Sequence, residues 1–173
     1  EQERQAGNFQ AMLSSVKSRS AAYTGQLIVL LTLETIATAI AISVFAAGFQ
    51  KAPALLYFKA AGLLLAGSIF PYILHLFISL QFGRGASIGL GIVESLVSAL
   101  ALTGLGDGRW YYIPCTWSAR LCDCLVSIWV NPLQATGYAE IKQCMVVMVP
   151  ATIVAFIMSL IWFGSWESSR SNE

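Results

Sequence analysis

Charge is what this sequence has least of. Of its 173 residues only 11% are Asp, Glu, Lys or Arg, where a soluble domain carries about 25%. So few charges cannot cover a water-facing surface, which excludes an ordinary soluble domain. The net charge of +1 excludes a strongly basic nucleic-acid binder. With 57% hydrophobic residues the chain is no acidic disordered tail either. Histidine occurs once, as His75, and no serine stands in a G-x-S-x-G elbow, so a hydrolytic triad has no footing. The phosphate-cradling pattern G-x-x-x-x-G-K-[ST] is missing, and with it any P-loop handling of ATP by this chain. Cys115, Cys122, Cys124 and Cys144 lack paired C-x-x-C spacing and a neighbouring histidine, so no metal site is expected. They read as small, unpaired apolar residues; a disulfide from Cys115 to Cys122 or Cys124 stays open if their loop is extracellular. No cofactor is called for.

What remains is apolar and arranged in long runs, with a mean hydropathy of +0.69. A membrane helix needs about 20 mostly apolar residues, and residues 25–47, 54–82, 86–103 and 144–163 qualify. The expected fold is therefore all-α: a polytopic helical membrane protein with four transmembrane helices in a single domain over residues 1–173. The polar first 20 residues and the length of the first apolar run exclude a signal peptide. Arg4, Lys17, Arg19, Arg84 and Arg170 fall on one side, and Lys51, Lys59, Arg109, Arg120 and Lys142 on the other. The count is a tie, and the basic pair flanking the first span places the N-terminus in the cytoplasm.

Two connecting segments carry patterns of their own. Phe9, Met12, Leu13 and Val16 recur at i, i+3, i+4 and i+7, which predicts an amphipathic N-terminal helix ahead of the first span. It is either a surface helix against the bilayer or a contact element for a cytoplasmic partner. The outer loop, residues 104–143, is far longer than a structureless connection. Within it Trp117, Leu121, Leu125 and Ile128 form an apolar stripe, with Arg120 and Asp123 on other faces, up to a stop at Asn131-Pro132. Trp110, Tyr111, Tyr112, Trp117 and Trp129 suit the membrane interface, where a ring is buried while its polar tip stays wet. The loop is expected to lie on the membrane or dip back into it.

Glu34 and Glu94 are the residues that most need explaining, because a carboxylate in hydrocarbon costs several kcal/mol unless paired, protonated or facing water. Thr38 lies one turn from Glu34, and Ser87, Gly91, Glu94 and Ser98 share one helical face. Such a face packs against protein or a cavity rather than lipid. Glu34, Thr38, Glu94 and Ser98 are thus candidates for a translocation path; the alternative is an interhelical hydrogen bond that fixes packing. His75 follows Pro71 by one turn. With no carboxylate near it in sequence it reads as a hydrogen-bonding core residue, although an imidazole can also handle protons near neutrality.

The stretch Gly91-Ile-Val-Glu94-Ser95-Leu, and the block Leu102-Thr-Gly-Leu-Gly-Asp107-Gly-Arg-Trp110-Tyr-Tyr-Ile-Pro114-Cys-Thr-Trp117, resemble the permease subunits of lantibiotic-immunity ABC transporters. These are the MutG-type branch of the ABC-2 permease superfamily. Glu1-x-Glu3-x-x-Ala6-Gly7-Asn-Phe9 resembles the segment before that superfamily's coupling helix. The resemblance implies that residues 1–22 form a cytoplasmic coupling segment whose Phe9, Met12, Leu13 and Val16 meet an ABC ATPase subunit. It also implies an outward-facing loop over residues 104–143 and a second copy or sister permease in the cell membrane. The cargo would be an antimicrobial peptide expelled for producer self-immunity. Family members usually have six spans, so this chain resembles their C-terminal two-thirds. A general ABC-2 exporter of lipid, antibiotic or polysaccharide, and a non-transporting scaffold subunit, are the alternative functions.

Overall fold

The computed structural model describes residues 19–132 and 136–165. Every regular element among them is helical. The predicted N-terminal helix with Phe9, Met12, Leu13 and Val16 lies outside the described residues. Helix α1 spans Arg19–Gly48, α2 Ala54–Phe82 and α3 Arg84–Leu100, the last continued by one wide turn over Ala101–Leu105. Two short turns, Trp110–Tyr112 and Pro114–Thr116, lead into α4 at Trp117–Val130. Helix α5 spans Thr136–Ser165.

Four of these helices are long and apolar enough to cross a membrane: Ser20–Gly48, Ala54–Phe82, Arg84–Leu105 and Thr136–Ser165. At 1.5 Å per residue, the 29 residues of α2 extend about 43 Å, more than the roughly 30 Å hydrocarbon layer. Ile28, Val29, Leu33, Ile36, Ile40 and Val44 of α1 are exposed, as are Ile88, Ile92, Val93 and Leu96 of α3. Lipid is the solvent in which such a surface is stable.

The helices outrun the apolar runs that announced them. Helix α5 begins at Thr136, eight residues before its charge-free stretch, because Glu140 and Lys142 are good helix formers. The outer connection is shortened accordingly. Between α2 and α3 the chain reverses at Gly83, with φ of 88° and ψ of 174°, a region open essentially to glycine alone.

Helix α2 is the hub and packs against every other helix. At one end Ile73, Leu76 and Leu80 close on Ala22, Tyr23 and Leu27 of α1 and Phe163 of α5. Towards the other end Trp110, Trp117, Leu121 and Cys124 close on Cys144 and Met148 of α5, with Leu63 and Phe70 of α2 beside them.

That second core shows where the outer loop goes. Ser118, at the start of α4, sits against Gly67, about halfway along α2, and its Oγ donates to the Leu64 carbonyl at 3.1 Å. One turn later Cys122 Sγ lies 3.6 Å from the Ala60 carbonyl. The partners climb α2 towards its first residue as α4 proceeds. The chain leaving α3 therefore descends into the helical layer, turns at Pro114–Trp117, and rises again as α4.

The folded-in loop packs Trp110 and Trp117 against the other helices. They are 0% and 1% exposed, because the loop carries them inside the bundle. Trp117 stacks edge-on against Phe70 at 5.5 Å, and its Nε1 donates to the Tyr111 carbonyl at 2.9 Å. Tyr111 is half-buried, and Tyr112 is exposed.

Candidate functional site

The polar face of α3 turns towards α2, and what it meets is the one histidine of the chain. His75 Nε2 lies 2.9 Å from Glu94 Oε2, and Nδ1 lies 2.9 Å from Ser87 Oγ. With Glu94 as the carboxylate, which only accepts, Nε2 is the donor of this bond. In the neutral ring Nδ1 then accepts from the Ser87 hydroxyl, giving the chain Ser87 to His75 to Glu94. Ser87 and Glu94 are seven residues apart, two turns on one face, and Gly91 between them leaves room for the imidazole: a Cβ there would stand 3.4 Å from His75 Cε1.

This answers a question the sequence left open. Glu94 does have a partner, and His75 does have a carboxylate, 19 residues away along the chain. The pairing is invisible to local spacing because it crosses the Gly83 reversal. The signal that was available is that His75 and Glu94 are polar residues of adjacent spans, eight positions before and eleven after that glycine.

Around the pair opens a cleft of about 450 Å³ between α2, α3 and the tip of the re-entrant loop. Helix α2 contributes Ser68, Pro71, Tyr72 and His75; α3 contributes Glu94, Ser95 and Ser98 among others. The loop tip adds Cys115 and Ser118. Burial pushes the Cys115 thiol up from its ordinary value, and the nearby Glu94 carboxylate adds to the shift.

Glu34 approaches the same cleft from α1. It lies near Ser68 and Tyr72, and its Oε2 is buried without a hydrogen-bond partner among the described residues. The structure thus brings Glu34, Glu94 and Ser98 towards one region. Thr38 is half-buried and is not among the described residues lining the cleft.

A second polar cluster lies on α4, where Arg120 is only 6% exposed. Its guanidinium pairs with Asp107 at 2.5 Å, Asp123 at 3.3 Å and Glu140 at 4.0 Å, and sits 5.5 Å over the Trp110 ring. Trp110 Nε1 and Cys124 Sγ both point to Glu140 Oε2, at 3.4 and 3.3 Å. By sequence spacing Arg120 lies off the apolar stripe of α4. Its burial follows because the loop is folded inwards, so that the flank of the stripe carrying Arg120 and Cys124 also meets protein. This cluster ties the exit of α3, the loop and α5 together.

All four cysteines are free thiols, and no group of three metal-ligating side chains converges among the described residues. No protein family, no curated protein and no solved structure matches the chain.

Proposed function

We propose that this chain is a membrane permease subunit of an ABC exporter, driven by a separate ATPase. Its cargo would be an amphiphilic antimicrobial peptide, expelled from the cell membrane for self-protection. The observation that carries the proposal is a polar, charged cleft held within helices of membrane-spanning length. Purely structural helix packing has no need of an open space of about 450 Å³ at that place. The resemblance of residues 91–117 to immunity permeases supports the choice of cargo. In this reading, residues 9–16 receive the push of the ATPase. The cleft at Glu94 then opens and closes as the helices rock, and the re-entrant tip at Cys115 and Ser118 stands as its outer wall.

The size of the cleft qualifies the route. It falls within the roughly 300–1,000 Å³ of a small-molecule pocket, so it admits a few side chains of a peptide at once and not a folded peptide. A second permease facing this one would complete the path. The same size favours, as a second reading, a general exporter of smaller amphiphiles such as lipids or antibiotics.

The test is reconstitution with whatever ATPase co-purifies with this chain from its own membrane. ATP-dependent release of an antimicrobial peptide from vesicles, together with sensitivity of the producer on deletion, is the expected outcome. Absence of any co-purifying ATPase would refute the exporter reading. Transport of lipid but not peptide would transfer the assignment to the second one.

A further inference from the structure

Three of the hydroxyls lining the cleft are one-sided in their hydrogen bonding, whereas those of Tyr72 and Ser98 are bonded to nothing among the described residues and can donate or accept. Ser68 donates its hydroxyl proton to the Leu65 carbonyl at 2.9 Å, Ser95 to Gly91 at 2.8 Å, and Ser118 to Leu64 at 3.1 Å. A hydroxyl has one proton and two lone pairs. With the proton committed to a helix carbonyl, each of these serines presents only acceptor capacity elsewhere. His75 is engaged at both ring nitrogens. Glu94 uses one oxygen on His75, and its Oε1 takes no hydrogen bond among the described residues.

The charge is one-sided too. Glu94 lines the cleft and Glu34 adjoins it through Ser68 and Tyr72, while no lysine or arginine is among the described lining residues. Acceptors in excess of donors, negative charge without a neutralising cation, and low-dielectric walls together favour a compact, donor-rich cation. A primary ammonium has three donors and no acceptor, which matches this inventory. An anion or a phosphate would find carboxylates and lone pairs facing it.

We infer that the cleft between α2, α3 and the re-entrant tip is a binding site for a primary ammonium group, with Glu94 Oε1 as its counter-charge. The hydroxyl oxygens of Ser68, Ser95 and Ser118 are the neutral acceptors around it. The His75 bridge holds Glu94 in place by occupying its other oxygen, and so acts as a positioning residue. Where the exporter reading holds, the ammonium belongs to the cargo, and only that use of the site rests on the reading. The site itself needs neither an ATPase nor transport.

The single histidine makes the test local. The chain labelled with ¹⁵N-histidine, in nanodiscs of phosphatidylcholine and phosphatidylglycerol at about pH 8, where imidazole as a class is neutral, gives side-chain signals from His75 alone. Titration with n-butylammonium chloride is expected to move them saturably, at concentrations on the order of millimolar for so small a ligand. n-Butanol, n-butyl sulfate and potassium chloride are expected to leave them in place. Glu94→Gln keeps an acceptor for His75 and removes the charge, so half-saturation should rise at least about tenfold. Unchanged tryptophan emission verifies that the variant is folded.

Phosphatidylethanolamine added to the discs distinguishes the source. A matching shift assigns the ammonium to a lipid headgroup; its absence, with butylammonium active, assigns it to a water-borne amine. The inference is overturned if butanol or potassium acts as well as butylammonium, if no probe shifts the signals, or if folded Glu94→Gln responds like the parent. Should that variant not fold, the comparison of the four probes on the parent chain decides alone. A negative result here with a positive one for ATP-driven export would discard the amine site and keep the exporter.

Discussion

Removing the guanidinium of Arg120 should loosen the re-entrant loop, and the size of the effect follows from its surroundings. The group is 6% exposed, but the side chains of Asp107, Asp123 and Glu140 are 66%, 49% and 36% exposed. The acids can therefore return to water when the cation is deleted, and the cost of stranded buried charge, about 3–5 kcal/mol, is largely avoided. What is lost is the contact over Trp110, about 0.5–2 kcal/mol, the packing of the aliphatic stem, and charge-assisted hydrogen bonds worth about 1.5–3 kcal/mol in buried settings. With half-exposed acceptors the low end applies, and Arg120→Ala is expected to destabilise by about 3 kcal/mol. For the Asp107 pair alone the coupling should lie between the 0.2–1 kcal/mol of an exposed ion pair and that of a buried one, at about 1 kcal/mol. Equilibrium unfolding in mixed micelles, followed by the emission of the buried Trp110 and Trp117, measures Arg120→Ala, Asp107→Ala and the double variant. The double variant should fall short of additivity by about 1 kcal/mol, and the shortfall should shrink with added salt because Asp107 faces water. Arg120→Lys should not restore stability, since an ammonium cannot reach several acids and cover the indole at once. Strict additivity, or an Arg120→Ala effect below about 1 kcal/mol, would show that the cluster does not hold the loop.

Three further outcomes follow from other contacts. A Cβ at Gly67 would stand 2.6 Å from the backbone nitrogen of Ser118, whereas one at Gly137 would meet the Ile128 side chain at Cγ1, 2.8 Å, and Cδ1, 3.1 Å, and one at Gly62 would meet nothing within 4 Å. Thermal unfolding should rank Gly67→Ala as the most damaging, by about 1–3 kcal/mol, then Gly137→Ala, with Gly62→Ala neutral or stabilising; any other order refutes the close seat of α4 on α2. Burial pushes the Cys122 thiol up to about 11 and the Cys124 thiol up to about 12, the latter helped by its hydrogen bond to Glu140. Maleimide should therefore label the native chain slowly at pH 7 and roughly tenfold faster per pH unit up to about pH 9, while the unfolded chain labels at once; equal rates in both states would contradict the burial. Because these thiols ionise more readily when unfolded, their contribution to stability is complete below about pH 8.5 and is lost as pH rises towards their folded values. Finally, Glu94→Gln should leave assembly intact, because the amide oxygen still accepts from His75, yet lower transport by tenfold or more; loss of assembly instead would make Glu94 a packing residue.

The helices were legible because lipid imposes one requirement that local sequence reveals, a long apolar run whose backbone satisfies itself. Their ends were not, since Thr136 to Gln143 is helical for reasons of propensity and packing that hydropathy does not register. The face of Ser87, Gly91, Glu94 and Ser98 was readable from a period of 3.6, but its partner was not, because His75 meets it only once the chain has turned at Gly83. The packing of the aromatic loop was hidden for a related reason. A tryptophan ring is equally at home at a membrane interface and in a core, and only the near contact of Gly67 with Ser118 decides that Trp117 is inside.

The two polar clusters also differ in a way that bears on what each is for. Around Arg120 three acids meet one cation, and the cation is buried while the acids reach water, an arrangement that closes on itself. Around Glu94 the partner is an imidazole, neutral unless protonated, and a second carboxylate adjoins the same space. Packing alone would be served as well by a serine pair or an apolar contact of the same shape. A carboxylate left without a permanent counter-charge beside an open cleft is stable only if water, a proton or a visiting cation supplies one. That unmet requirement, rather than the number of spans, is the feature of this chain that asks for a ligand.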